Sequence, residues 1–147
     1  KSFKGLPHRQ YQVSKKSDVL FINDSKATNA EATAKALAAY DNIYWIAGGR
    51  AKETGLQGLE IFSDKIIKTF LIGESEEEFA KFLIKNDFDV MICHDLENAT
   101  EKAYQAATEI GGEATILLSP ASASWDQFAS FEERGEKFVE YVERITA

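Results

Sequence analysis

Val19-Leu20-Phe21-Ile22-Asn23-Asp24-Ser25-Lys26-Ala27-Thr28-Asn29-Ala30-Glu31 joins a compact apolar run, a polar turn and the start of an alanine-rich stretch. The apolar run reads as a buried strand. From Ala30 to Tyr40 the residues are good helix formers, with Ala32, Ala36, Leu37 and Tyr40 on one face. Thr28 and Glu31 fit a capping box, with the Thr28 hydroxyl at the N-cap. A strand, a turn and a helix start aim free N–H groups and the positive helix dipole at one place, which suits an anion. Asp24 and Lys26 add one charge of each sign, and Thr28 adds a hydroxyl. Read alone, Thr28 and Asn29 could equally do no more than cap the helix.

The pattern continues on both sides of this stretch. Before it, Tyr11 and Val13, then Val19 and Phe21, alternate with polar residues around Ser14 to Asp18, as in two strands joined by a tight turn. After it, the sequence predicts strands over Ile43–Ala47, Ile66–Ile72, Asp89–Cys93 and Ala114–Leu118. Helices are predicted over Leu56–Asp64, from a Ser75 capping box to Lys85, from an Asp95 cap through Ile110, and in two closing segments, Trp125–Phe131 and Glu133–Ile145. Trp125, Phe128 and Phe131 read as the core face of the first closing segment. The run Glu76-Glu77-Glu78 reads as a solvated helix start. Strands alternating with helices predict an α/β fold: a mostly parallel, Rossmann-like sheet covered on both faces, with an antiparallel hairpin strand at the N-terminus.

The 147 residues fit one domain with a proper core. A formal charge of −7 argues against a general nucleic-acid surface. No apolar run approaches the roughly 20 residues of a membrane span, and the start shows no signal-peptide pattern. The chain does not begin with Met, which fits a processed chain or a piece of a larger protein. The single cysteine, Cys93, excludes an internal disulfide and suits a reducing compartment. No CxxC, HExxH or His/Cys cluster is present, so no metal site is expected. GxGxxG and GxxxxGK[ST] are also absent, so neither a dinucleotide fingerprint nor a P-loop is present. His94 and Cys93 read as structural.

In a parallel sheet, ligands bind outside the carboxyl ends of the strands. Three strand exits carry reactive or small residues: Asp24–Asn29, Gly48–Lys52 and Ser119–Ser124. Lys26, Lys52 and Arg9 together could neutralise an anion of two or more charges, and Ser119, Ser122 and Ser124 offer hydroxyls without bulk. Gly48-Gly49 could merely turn the chain. This convergence fixes no reaction.

Taken together, Gly5-Leu6-Pro7-His8-Arg9, the FINDSKATN run from Phe21, Gly48-Gly49 with Lys52, the LSPASASWDQF run from Leu118, and Phe131-Glu132 with Arg134-Gly135 closely resemble the C-terminal domain of the Mur ligases, in the branch that adds D-glutamate. The resemblance spans residues 1–147. It implies an ATP-dependent, cytoplasmic step of bacterial peptidoglycan synthesis: ATP phosphorylates the carboxylate of UDP-N-acetylmuramoyl-L-alanine, and the amine of D-glutamate attacks the acyl phosphate. It implies roles for matching positions: Lys26, Thr28, Lys52, Ser124 and Phe131 for D-glutamate, and Arg9 and Asp24 for ATP across a closed interdomain cleft. Two lysines and hydroxyls suit an amino acid with two carboxylates. ATP and Mg²⁺ would be bound mainly by a central domain, and the sugar nucleotide by a third. Neither lies in this chain, so the chain alone is expected to be inactive, and the whole enzyme a monomer. Two residues depart from the family pattern: Ser122 stands where relatives often carry Cys, and Trp125 where smaller or aliphatic residues are common. Both read as packing variation.

Two other readings compete. One is a free-standing module for a small dicarboxylate or phosphate. The other is a Mur ligase or folylpolyglutamate-synthase-like relative with a different acceptor.

Overall fold

The computed structural model describes residues 6–147; Gly5, in the first of the stretches above, lies outside them. Numbered in chain order, β1 (Tyr11–Lys16) and β2 (Val19–Asn23) form the expected antiparallel hairpin. β2 then pairs in parallel with β7 (Ala114–Leu118), β7 with β3 (Ile43–Gly48), β3 with β5 (Ile66–Ile72), and β5 with β6 (Val90–His94). The order across the sheet is β1-β2-β7-β3-β5-β6. The expected α/β architecture, parallel apart from its first strand, is present.

Both faces are covered, which is why β3 is apolar along its length and β7 is broken only by Thr115, rather than alternating. On one face, Phe21, Tyr44, Ile46, Phe70 and Ile116 pack against α3 (Leu96–Ile110) and α4 (Phe131–Thr146) through Ala99, Ala103, Phe138 and Val142. On the other, Ile22, Trp45, Leu71 and Leu117 meet α1 (Ala30–Ala39), α2 (Glu76–Lys85) and a 3-10 helix at Leu59–Lys65 through Leu37, Leu59, Phe79 and Leu83. Small alanines on α3 let that helix lie close to the sheet. Among the described residues, no helix is long and apolar enough to cross a membrane.

Several local expectations are corrected. Asn29, not Thr28, caps α1: its side chain accepts from Ala32 N at 2.8 Å. Ser75 precedes α2 but makes no capping bond. Its Oγ accepts from Gly49 N at 3.2 Å instead, and its own N–H donates to Gly49 O at 3.1 Å. The start of α2 is therefore fastened to the next strand exit. Glu76 is not simply solvated. It accepts from His94 N at 2.5 Å and lies 3.2 Å from His94 Nδ1, which holds His94 at a left-handed φ of 73°.

The segment from Trp125 to Ser130 is not a helix. Asp126 Oδ2 accepts from Glu74 N at 2.9 Å and Gln127 Nε2 donates to His94 O at 2.7 Å, so the segment is spread across neighbouring exits. Ser130 then caps α4 by accepting from Glu133 N at 3.1 Å. Trp125 is 65% exposed and is not core, whereas Phe128 is half-buried against the α3/α4 side. Cys93 is buried, and burial pushes its thiol up to about 11, which suits a structural role.

Candidate ligand-binding site

The three reactive exits belong to β2, β7 and β3, which are adjacent in the sheet. Backbone bonds join them. Asp24 N donates to Leu118 O at 2.7 Å, Ala121 N to Ala27 O at 2.9 Å, and Gly48 N to Pro120 O at 3.0 Å. Beyond Gly49 the chain forms β4 (Arg50–Ala51), which pairs antiparallel with β8 (Ser122–Ala123), a two-stranded sheet the sequence did not announce. Gly48 and Gly49 do more than turn the chain. Their φ angles are 123° and 134°, and a Cβ on either would run into a carbonyl, Ile72 O for Gly48 and Ala123 O for Gly49.

Within this frame, Asp24 and Ser25 point inward and Lys26 outward. Asp24 is 3% exposed, and both carboxyl oxygens are engaged. Oδ1 accepts from Gln10 N at 3.0 Å and Oδ2 from Ser119 Oγ at 2.7 Å. Ser119 is itself fixed, since its carbonyl accepts from Trp45 Nε1 at 2.7 Å. Burial drives the Asp24 carboxyl up to about 6, outweighing the hydrogen bonds and the nearby Arg9 charge, which favour ionisation.

Arg134 is the residue whose part the sequence did not reveal. It is 1% exposed, on the first turn of α4, and none of its three recorded hydrogen bonds goes to a carboxylate. Nε donates to Ser25 Oγ at 2.9 Å, one terminal nitrogen to Ser25 O at 2.7 Å, and the other to Ser122 O at 3.0 Å. Ser25 Oγ in turn donates to Phe131 O at 2.7 Å. One guanidinium thus ties the β2 and β7 exits to α4, using the fork geometry that lysine lacks. Desolvation lowers its pKa to about 10, so it stays charged at neutral pH. Beside it, Asn23 Nδ2 donates to His8 Nδ1 at 3.0 Å and Asn23 Oδ1 accepts from Ser25 N at 3.1 Å. A Cβ on Gly135 would collide with the His8 ring, so only glycine fits where α4 passes this contact. Lys26 N donates to His8 O at 2.8 Å, which places the Arg9 segment on the loop.

Arg9, Asp24, Lys26, Ala32 and Lys35 line a cavity of about 180 Å³. Lys35 was not anticipated from the sequence. Lys26 also lies 4.8 Å from the centre of the half-buried Phe131 ring, in cation–π contact. Ser124 is buried at 2% exposure, and Thr28 is half-buried just beyond Lys26. Lys52 is exposed on the β3 exit and does not line the cavity. The cavity offers one buried carboxylate among three cations, which does not suit Mg²⁺. Among the described residues, no group of three or more His, Cys, Asp or Glu is placed to hold a metal.

This fold is shared with the Mur ligases. The UDP-N-acetylmuramate-alanine ligase MurC of Thermotoga maritima superposes with a TM-score of 0.61 at 12% identity, over 97% of this chain and 31% of that one. The MurF ligase of the same organism, in a complex with ADP, gives 0.53 at 18% identity, over 98% and 33%. In sequence, the chain is a homologue of MurD, UDP-N-acetylmuramoylalanine--D-glutamate ligase, over the segment it spans. It is 50% identical over 145 residues to the enzyme of Wolbachia sp. subsp. Brugia malayi, covering 99% of the chain and 29% of that ligase. It is 51% identical over 145 residues to that of Bartonella henselae, covering 98% and 31%. The chain therefore spans about 30% of the length of the curated relatives it matches. No protein-family model matches it.

Proposed function

We propose that this chain is the C-terminal, amino-acid-binding domain of a bacterial, cytoplasmic ligase that joins D-glutamate to UDP-N-acetylmuramoyl-L-alanine at the expense of ATP. The observation that carries the reading is the 50% identity, over 99% of the chain, to a ligase named for that reaction. Lys26 and Lys52, with the Thr28 and Ser124 hydroxyls, hold the two carboxylates of D-glutamate, and the Phe131 ring braces Lys26. Arg9 meets the phosphates of ATP. Asp24 sets the nucleotide-facing wall rather than reaching out, because Gln10 and Ser119 already occupy its two oxygens.

The domain's work is positional. Held from this side, the D-glutamate amine meets an acyl phosphate formed on a neighbouring domain, and closure excludes the water that would hydrolyse it. The P-loop, the Mg²⁺ ligands and the sugar-nucleotide site belong to the other two domains of a monomeric enzyme, so the 147 residues alone bind but do not catalyse.

Phosphate release by the full-length ligase is the test. Turnover with D-glutamate, and none with a diamino acid or D-Ala-D-Ala, is the expected result; the reverse preference overturns the substrate assignment. A parent sequence without an upstream GxGK[ST] loop would remove the ligase reading itself.

A further inference from the structure

We propose that Lys35 is a third cation of the nucleotide-facing cavity and binds the polyphosphate chain together with Arg9, beside the Lys26 that holds D-glutamate. This rests on the reading of that cavity given above and adds a residue to it.

The placement follows from the register of α1. Ala30, Thr33, Ala36 and Leu37 face the core. Ala32 and Lys35, three residues apart, share another stripe, and both line the cavity. The ordinary partner for Lys35 is Glu31, one turn earlier, in a favourable i,i+4 arrangement. That pair is not made: Glu31 lines a separate groove with Thr54 and Gln57, and among the described residues Lys35 has no ion pair. Arg9 and Lys26 also lack a carboxylate partner among those residues. Three cations thus gather on one small cavity of a chain whose formal charge is −7. Among the described residues that line it, the only carboxylate is Asp24, buried with both oxygens taken. At about 180 Å³ the cavity is smaller than the roughly 300–1,000 Å³ of sites that enclose a whole drug-sized ligand. It therefore takes the charged part of a ligand held elsewhere. With Lys26 holding D-glutamate, Arg9 and Lys35 are the two cations of the cavity left for the phosphates.

The test is titration of the isotopically labelled chain with inorganic tripolyphosphate, and separately with D-glutamate, read by amide shifts at low salt. Lys35→Ala is expected to weaken tripolyphosphate about three- to tenfold. Lys35→Arg should restore it, and D-glutamate affinity should not change. Lys35→Ala without effect, while Arg9→Ala weakens binding, overturns the role of Lys35 and leaves the cavity reading standing. Equal loss for both ligands also overturns it, since Lys35 would then act only through the general field. No tripolyphosphate shifts around Arg9, Asp24 and Lys26 in the unaltered chain overturn the cavity reading and the proposal together.

Discussion

Replacing Arg134 with methionine removes the one side chain that joins three segments of the site. Methionine approximates the length and volume of the aliphatic stem, so the cavity left behind is small. The loss is electrostatic: three hydrogen bonds, at 2.9, 2.7 and 3.0 Å, from a buried cation to Ser25 and Ser122. Hydrogen bonds to charged groups contribute about 1.5–3 kcal/mol each, or roughly 4–9 kcal/mol for three. Against this, burial disfavours the charge, and a fall in pKa from 12.5 to about 10 corresponds to roughly 3 kcal/mol relieved on substitution. The net expectation is a loss of about 1–6 kcal/mol. For a chain of this size that lowers Tm by very roughly 3–18 °C. Urea unfolding of the two proteins measures it, and hydrogen exchange locates it, with faster exchange confined to the β2 and β7 exits. Arg134→Lys should recover less than half of the loss, because a single ammonium cannot reach both Ser25 and Ser122 in the fork arrangement. A methionine variant within about 0.5 kcal/mol of the parent would refute this account of the loops.

Asp24→Asn tests the buried carboxyl. A carboxyl whose folded pKa is raised favours the folded state when protonated, so its ionisation destabilises the fold as pH rises from 3.8 to about 6, by up to roughly 3 kcal/mol. Stability of the variant relative to the parent should therefore rise across that window, and parallel pH–stability curves would sink the idea. Gly135→Ala places a methyl against the His8 ring and should cost about 1–3 kcal/mol; adding His8→Ala should recover part of that, and strict additivity in urea melts would show that the contact is not responsible. Ser122 Oγ is buried without a hydrogen-bond partner among the described residues, so Ser122→Cys or Ser122→Ala should leave stability unchanged or raise it by up to about 1 kcal/mol; a clear loss would mean that the hydroxyl has a partner. On the proposed ligase reading, Lys26→Ala in the full-length parent should raise the KM for D-glutamate by about tenfold or more, with Tm nearly unchanged because the side chain is exposed; an unaltered KM would count against the clamp.

The strands and their burial were legible because hydrophobic runs are decided by burial on one or both faces. Ile66–Ile72 and Ala114–Leu118 have the bounds expected from the sequence. Capping was less legible because several residues compete for one role. Asn29 stands between Thr28 and the helix, and its shorter reach to Ala32 N wins. Ser75 has the composition of a cap but spends its hydroxyl on Gly49, a partner 26 residues away that no local pattern reveals. The segment from Trp125 lost its expected helix for the same reason: Asp126 and Gln127 are held by Glu74, beyond the end of β5, and His94, at the end of β6. Nothing in the local pattern around Arg134 marks it as buried. Only the return of α4 against the β2 and β7 exits buries it.

The same logic separates the two kinds of residue in the opening loop. Asn23, Asp24 and Ser25 are polar yet buried, and every one of them has its hydrogen bonds answered inside the chain. Lys26 lies on the Phe131 ring, and Arg9, Lys26 and Lys35 make no ion pair among the described residues. The fold consumes the first group to fix the geometry and leaves the second group's charge unanswered. The internal scaffold uses neutral acceptors for Arg134, the buried cation among the described residues, and spends no carboxylate on it. An arriving anion meets lysine and arginine charges that need not first break an ion pair, and the loop that carries Lys26 is already held in place by Leu118, His8 and Arg134.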